Sequence, residues 1–227
     1  MILDPQIIWQ DDYILALNKP AGMDVEELQA WITKNFTRNP GYSFQISNSR
    51  ELRSGLVHRL DKPTSGVILV AKTEDVFYAL QKQFADRIVA KTYVALVHGK
   101  IDPPAGEIDA PVGRLPWKRT KFGVFEGGRP AVTAYKVSSI YNIQDTTYSL
   151  LELFPKTGRT HQLRVHLKHI GHPIVADPLY AGRKTLRADN KIWPRLWLHA
   201  KSIEFTHPIT GKRIKLEAPL PEDLKLP

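Results

Sequence analysis

Apolar residues in this 227-residue sequence come in short runs closed by turn formers, a pattern that builds strands and short helices. Runs at 7–9 and 13–17 flank Gln10-Asp11-Asp12 and predict a hairpin, which Asn18-Lys19-Pro20-Ala21-Gly22 then ends. The continuous run at 67–71 predicts a buried strand, and 56–59 and 93–98 predict shorter ones. Residues 130–140 and 147–154 read as a strand pair. Residues 196–198, 202–206 and 213–217 close the chain as strands, with a turn at 207–212. Helical spacing appears at 25–36, 75–87 and 160–170, the last with Thr160 as N-cap and Gly171 as stop. Residues 37–54 and 183–194 predict loops, and 102–116 predict irregular chain or short edge strands. The expected architecture is α+β, one domain over 1–227 around a mixed, mostly antiparallel sheet with flanking helices and loops.

The sequence contains no cysteine, which excludes disulfides, thiolate zinc sites and a thiolate nucleophile. No apolar run approaches the roughly 20 residues of a membrane span. The first ten residues carry Asp4 and no Lys or Arg, unlike a signal or transit peptide, so a cytoplasmic protein is expected. The formal net charge is +9, and it is concentrated. Residues 156–216 hold 13 basic and 3 acidic side chains, whereas residues 1–155 are nearly balanced. That block is the expected electrostatic footprint for a polyanion.

Two polar segments stand out. The first, His58-Arg59-Leu60-Asp61-Lys62-Pro63-Thr64-Ser65-Gly66, lies between apolar runs and holds one acid, Asp61. Arg59 and Lys62 flank it and favour its ionised form, which can serve as base or nucleophile. Spacing alone favours the other reading, that Asp61 caps a turn through Thr64 and Ser65. The second segment runs from Lys156 to His166 and places Arg159 and Arg164 around a helix start. It reads either as a phosphate site or as a solvated basic helix. The sequence has no phosphate loop and no dinucleotide or nucleophile-elbow motif. His161, His166, His169 and His172 cluster, but they lack a carboxylate among them and share their helix with Arg164 and Lys168. A metal site is therefore not expected; a basic helix presented to phosphates is.

Together these segments resemble the RluA family of pseudouridine synthases. The family's HRLD…TSG loop is matched by His58 to Gly66, its GRxHQ[IL]R signature by Gly158 to Arg164, and its K-x-Y strand by Lys91-Thr92-Tyr93. The opening hairpin, the Gly171-His172-Pro173-Ile174 segment and Leu198-His199-Ala200 match in the same order. Ala176 stands where relatives often have glycine.

The resemblance implies a cofactor-free isomerase that detaches a uracil from its ribose, turns it and rejoins it through carbon, in a stem-loop of ribosomal or transfer RNA. It implies Asp61 as the catalytic carboxylate, attacking ribose carbon 1 or assisting elimination to a glycal. It implies Arg164 as the partner holding Asp61 ionised, and Tyr93 as the ring under the uracil and a candidate base. Flipping the target out of its stack is assigned to Arg59, with His58, Thr64, Arg159, His161 and Gln162 around the substrate. Leu163 and Val165 are expected to wall the uracil pocket or to be plain core. Lys184, Arg187, Lys191 and Arg195, with Arg183 beside them, are expected to meet the RNA backbone, and the protein is expected to act as a monomer. Two rival readings are a non-catalytic RNA binder and an RNA glycosidase using Asp61. The first predicts a degraded catalytic set, and the second wants another carboxylate to activate water.

Overall fold

The computed structural model describes residues 3–37 and 51–226. Most of the loop expected at 37–54 therefore lies outside the described residues. The chain forms two compact units, Met1–Lys91 with Ala200–Pro219, and Thr92–His199 with Leu220–Pro227.

In the first unit, strand β1 (Gln6–Gln10) pairs antiparallel with β2 (Ile14–Lys19), with a bulge between Ile7 and Trp9. Strand β2 pairs with β3 (Ser65–Ala71), Ile14 opposite Ala71 and Lys19 opposite Gly66. Their apolar runs are buried on both faces, so they do not alternate. Helix α1 (Val25–Ile32) begins with a capping box. The Asp24 carboxylate accepts the Glu27 N–H at 3.0 Å, and Glu27 accepts the Asp24 N–H at 2.7 Å. One π turn, Thr33–Thr37, follows it. Helix α2 (Glu74–Ala85) is capped by Thr73 and buries Val76, Phe77 and Leu80.

Two expectations change here. Residues 56–59 make no strand; Leu56 forms only a single bridge to Val70. Residues 196–206 hold one strand rather than two. That strand appears as β10 (Leu198–Thr206), numbered after the elements of the second unit, and it pairs with β11 (Arg213–Glu217). Its burial on both faces removes the alternation that would have marked it as continuous.

Gly66 explains why the polar loop must re-enter the sheet on a glycine. Its φ is +120°, and a Cβ there would fall 2.2 Å from the Ala200 carbonyl oxygen and 2.6 Å from the Ala200 nitrogen. Main chain, not a movable side chain, occupies that space.

The second unit is built on the strand order β4-β9-β8-β5. Strand β4 spans Ala90–His98, β5 Ala105–Asp109, β8 Val132–Ile143 and β9 Thr146–Pro155. Strands β8 and β9 pair as expected. Their two-residue turn has positive φ at both Gln144 and Asp145, as the twist of a tight hairpin demands. A separate hairpin joins β6 (Val112–Arg114) to β7 (Phe122–Val124). An apolar core formed by Leu96, Leu151, Leu153, Trp193 and Trp197 backs the sheet.

Helix α3 (Gln162–His169) starts later than the sequence suggests, and Thr160 is not its N-cap. The capping position is His161, at φ +56°, with no side-chain cap bond. Helix α4 (Arg183–Asp189) replaces an expected loop. Leu186 is the one large apolar residue in it, so no apolar stripe announces it. Tertiary bonds hold it instead: Asp189 Oδ2 accepts the Ala176 N–H at 2.8 Å and lies 3.0 Å from His98 Nε2.

Candidate active site

In the first unit, the loop carrying Asp61 is gripped on both sides. Before it, His58 Nε2 accepts the Leu69 N–H at 2.9 Å, and the ring stacks on Phe84 with centroids 4.8 Å apart. Desolvation, with a smaller push from the Lys91 ammonium, takes the imidazole pKa down to about 3. The ring is neutral, with its proton on Nδ1. After Asp61, the Lys62 carbonyl accepts the Gly22 N–H at 2.8 Å and the buried Lys19 ammonium at 3.4 Å. The Thr64 N–H closes the turn onto the Asp61 main-chain carbonyl at 3.0 Å. Lys62 reaches back to Asp24 at 3.0 Å and Glu27 at 3.4 Å, tying the loop to the start of α1. Leu60 is buried, Asp61 half-buried and Arg59 exposed. The Thr64 hydroxyl is buried without a hydrogen-bond partner among the described residues.

The second unit contains Tyr93 and Arg164. Tyr93 is half-buried on β4, opposite Leu153 of β9. Around Arg164 the structure corrects the expectation of a basic helix offered to phosphate. Every residue of α3 from Gln162 to Leu167 is buried. The Gln162 side chain works as a bracket. Its Oε1 accepts the Thr157 hydroxyl at 2.7 Å and the Arg159 N–H at 3.0 Å, and its Nε2 donates to the Val132 carbonyl and the Thr133 hydroxyl, each at 3.0 Å. Arg159 Nε donates to the Pro130 carbonyl at 3.2 Å. His166 sits 3.0 Å from the Thr133 hydroxyl and 2.9 Å from the Ala110 carbonyl, and burial pushes its pKa down. Leu163 belongs to the main core, and Val165 to a smaller cluster with Val112, Ala131 and Tyr180.

Arg164 itself is 2% exposed. Its Nε lies 2.7 Å from Asp177 Oδ2 and its Nη2 2.8 Å from Asp177 Oδ1, a two-pronged ion pair. Asp177 is fully buried. Tyr180 covers the guanidinium, with Cζ 5.1 Å from the ring centre, and its hydroxyl lies 2.8 Å from His161 Nδ1. Sequence reasoning gave neither Asp177 nor Tyr180 a role. The available signal was arithmetic: a buried Arg needs a carboxylate, and Asp177 is one of three acids in residues 156–216.

The expected backbone contacts divide. Lys184, Arg187 and Lys191 are exposed. Arg195 is not presented to a ligand in the expected way: its Nε and Nη2 fork onto Asp223 at 2.7 and 2.9 Å. A cationic surface the sequence reading overlooked lies on the β6–β7 hairpin. It carries Arg114, Lys118, Arg119 and Lys121 around Trp117, which is 74% exposed. Among the described residues, no group of three or more His, Asp or Glu is arranged to hold a metal ion. No helix among them is long and apolar enough to cross a membrane.

Comparison with known proteins identifies the chemistry. Residues 13–169 match the family model for RNA pseudouridylate synthase. The chain is 39% identical over 230 residues to the ribosomal large subunit pseudouridine synthase D of Pseudomonas aeruginosa, covering 97% of this chain and 70% of that protein. It is 38% identical over 224 residues to an RNA pseudouridine synthase of Bacillus subtilis, covering 98% of this chain and 71% of that one. Among solved structures, human RNA pseudouridylate synthase domain containing 1 superposes with a TM-score of 0.79 at 27% identity, covering 98% of this chain and 86% of that one. The α+β fold, with its mixed and mostly antiparallel sheet, is the pseudouridine synthase fold. The chain belongs to the RluA family of RNA pseudouridine synthases, enzymes that isomerise uridine in RNA.

Proposed function

We propose that this enzyme isomerises a uridine in a stem-loop of large-subunit ribosomal RNA, with Asp61 as its catalytic carboxylate. The similarity to the Pseudomonas ribosomal large subunit pseudouridine synthase supports the RNA class. The observation that carries the catalytic reading is the anchoring of the Asp61 loop. His58 holds it on one side, and Gly22 with Lys19 on the other. A half-buried carboxylate fixed within a rigid turn is pre-organised for one reacting position.

The reaction breaks the bond between uracil N1 and ribose C1′, rotates the base, and joins C5 to C1′, with the C5 proton lost and N1 gaining one in its place. Asp61 acts on the ribose side, by attack at C1′ or by assisting elimination. Arg164 is the partner that orients that carboxylate. Tyr93 supports the uracil face and removes a ribose or ring proton. Arg59, exposed at the loop tip, occupies the stack the uridine leaves, because a guanidinium can both stack on bases and donate hydrogen bonds. His58 takes no proton in this scheme, since its accepting nitrogen is committed to Leu69. The cations of α4 and of the β6–β7 hairpin bind phosphates of the folded RNA.

The test uses ribosomal RNA tritiated at uracil C5. Tritium release without free uracil is the expected result, and release of free uracil would make the protein a glycosidase. Asp61→Asn should abolish tritium release while leaving RNA affinity within about 2-fold, because an amide keeps the shape but not the nucleophile. Wild-type turnover in that variant overturns the assignment. Mapping pseudouridine in RNA from cells lacking the protein identifies the target; an unchanged large-subunit RNA overturns the ribosomal assignment.

A further inference from the structure

We infer that Asp177 and Tyr180 are positioning residues that fix the plane of the Arg164 guanidinium for catalysis. This rests on Arg164 being the partner of the catalytic carboxylate, as proposed above. An arginine side chain ends in a planar fork with two usable edges, Nε with Nη2 and Nη1 with Nη2. Asp177 grips the first edge at 2.7 and 2.8 Å, which blocks rotation within the plane. The Tyr180 ring turns its face towards Cζ, 5.1 Å from its centre, and walls that side of the group.

The grip is itself fixed. Asp177 Oδ1 accepts the N–H groups of Leu179 at 2.8 Å and Tyr180 at 3.1 Å. The preceding residue, Ala176, takes a left-handed φ of +54°, and its N–H is held by the buried Asp189. Tyr180 is held by its hydroxyl, which accepts the Phe122 N–H at 3.3 Å and meets His161 Nδ1 at 2.8 Å. Stability alone is a weak reason for this arrangement. A buried ion pair rarely improves on apolar side chains of similar volume, because removing both charges from water costs about what their attraction returns. A fixed orientation for a reacting group is what the arrangement supplies.

The experiment measures single-turnover tritium release and RNA affinity for four variants, each checked by thermal unfolding. Arg164→Lys should lose most activity, because a point charge cannot replace a fork; wild-type turnover there overturns the parent reading of Arg164. Asp177→Asn keeps the size and removes the charge. Its rate should fall roughly 100-fold with affinity within about 2-fold, the signature of misplacement rather than lost binding. Tyr180→Leu should lower the rate about 10-fold, while Tyr180→Phe, which keeps the ring face, should stay within about 3-fold of wild type. Wild-type turnover in Asp177→Asn, with Arg164→Lys inactive, overturns the positioning role. If Asp177→Asn does not fold, Tyr180→Leu decides: wild-type turnover there overturns the inference. Equal losses in Tyr180→Phe and Tyr180→Leu would assign the effect to the hydroxyl rather than the ring, and would overturn the part given to Tyr180.

Discussion

A histidine three residues from the carboxylate proposed as catalytic invites a role in proton transfer, but its Nε2 is already committed to the main chain. The Leu69 N–H points at His58 Nε2, so protonating that nitrogen would set two donors against each other. The cost appears as acid sensitivity. The folded-state pKa of about 3 lies below the ordinary 6.5. The unfolded chain therefore binds a proton between those values while the folded chain does not. Stability is full above about pH 6.5 and declines as pH falls towards about 3. Between about pH 7 and pH 5 this group alone should remove about 2 kcal/mol. His58→Gln offers an acceptor oxygen where Nε2 sits and does not titrate. Its urea midpoint should fall less than that of the wild type over that range; parallel curves would show that His58 does not cause the decline. At this scale the sequence marks Asp61 and Arg164 as candidates through the two motifs that carry them. It was silent on Asp177 and Tyr180, whose meaning comes from the chain returning to Arg164 after Gly171.

Helix α3 shows how an element can be recognised and its construction misread. The apolar spacing of Leu163, Leu167 and Ile170 gave the helix, and Gly171 its end. Thr160 looked like the cap because a hydroxyl there normally satisfies an orphan N–H. The structure uses Gln162 instead, which joins the entry turn to β8 through Val132 and Thr133. No periodicity rule finds such a bracket, since two of its partners, Val132 and Thr133, lie 30 and 29 residues away. Gln162→Ala should destabilise the protein by about 3 kcal/mol or more, through several stranded buried polar groups and a cavity. Thr160→Ala should change stability by less than about 0.5 kcal/mol. Chemical denaturation of both variants checks the contrast, and equal effects would return the capping role to Thr160. Helix α4 was missed for the opposite reason: its hold on the protein is Asp189, a charge, rather than an apolar stripe.

Over the whole molecule, net charge predicted a polyanion, and the enzyme class supplies one in RNA. The count located only part of the basic surface. Summing over 156–216 included Arg164 and Arg195, both of which the fold pairs with carboxylates. Summing over 1–155 hid the β6–β7 hairpin, whose four cations are offset by acids elsewhere in that span. Charge per segment says nothing of which charges a fold neutralises. Lys184 and Arg187 are exposed, so replacing both with Ala should flatten the plot of log affinity against log salt by about 1.5 to 2 units. Affinity for unrelated RNA should drop in parallel, because phosphate contacts carry no sequence information. An unchanged slope would move the footprint away from α4.

The glycine that ends the Asp61 loop has an evolutionary consequence. A side chain at position 66 would strike the main chain of Ala200, and no rotamer change elsewhere can make room for it. The point where the loop rejoins the sheet is therefore closed to every residue that carries a side chain, in any lineage that keeps this packing.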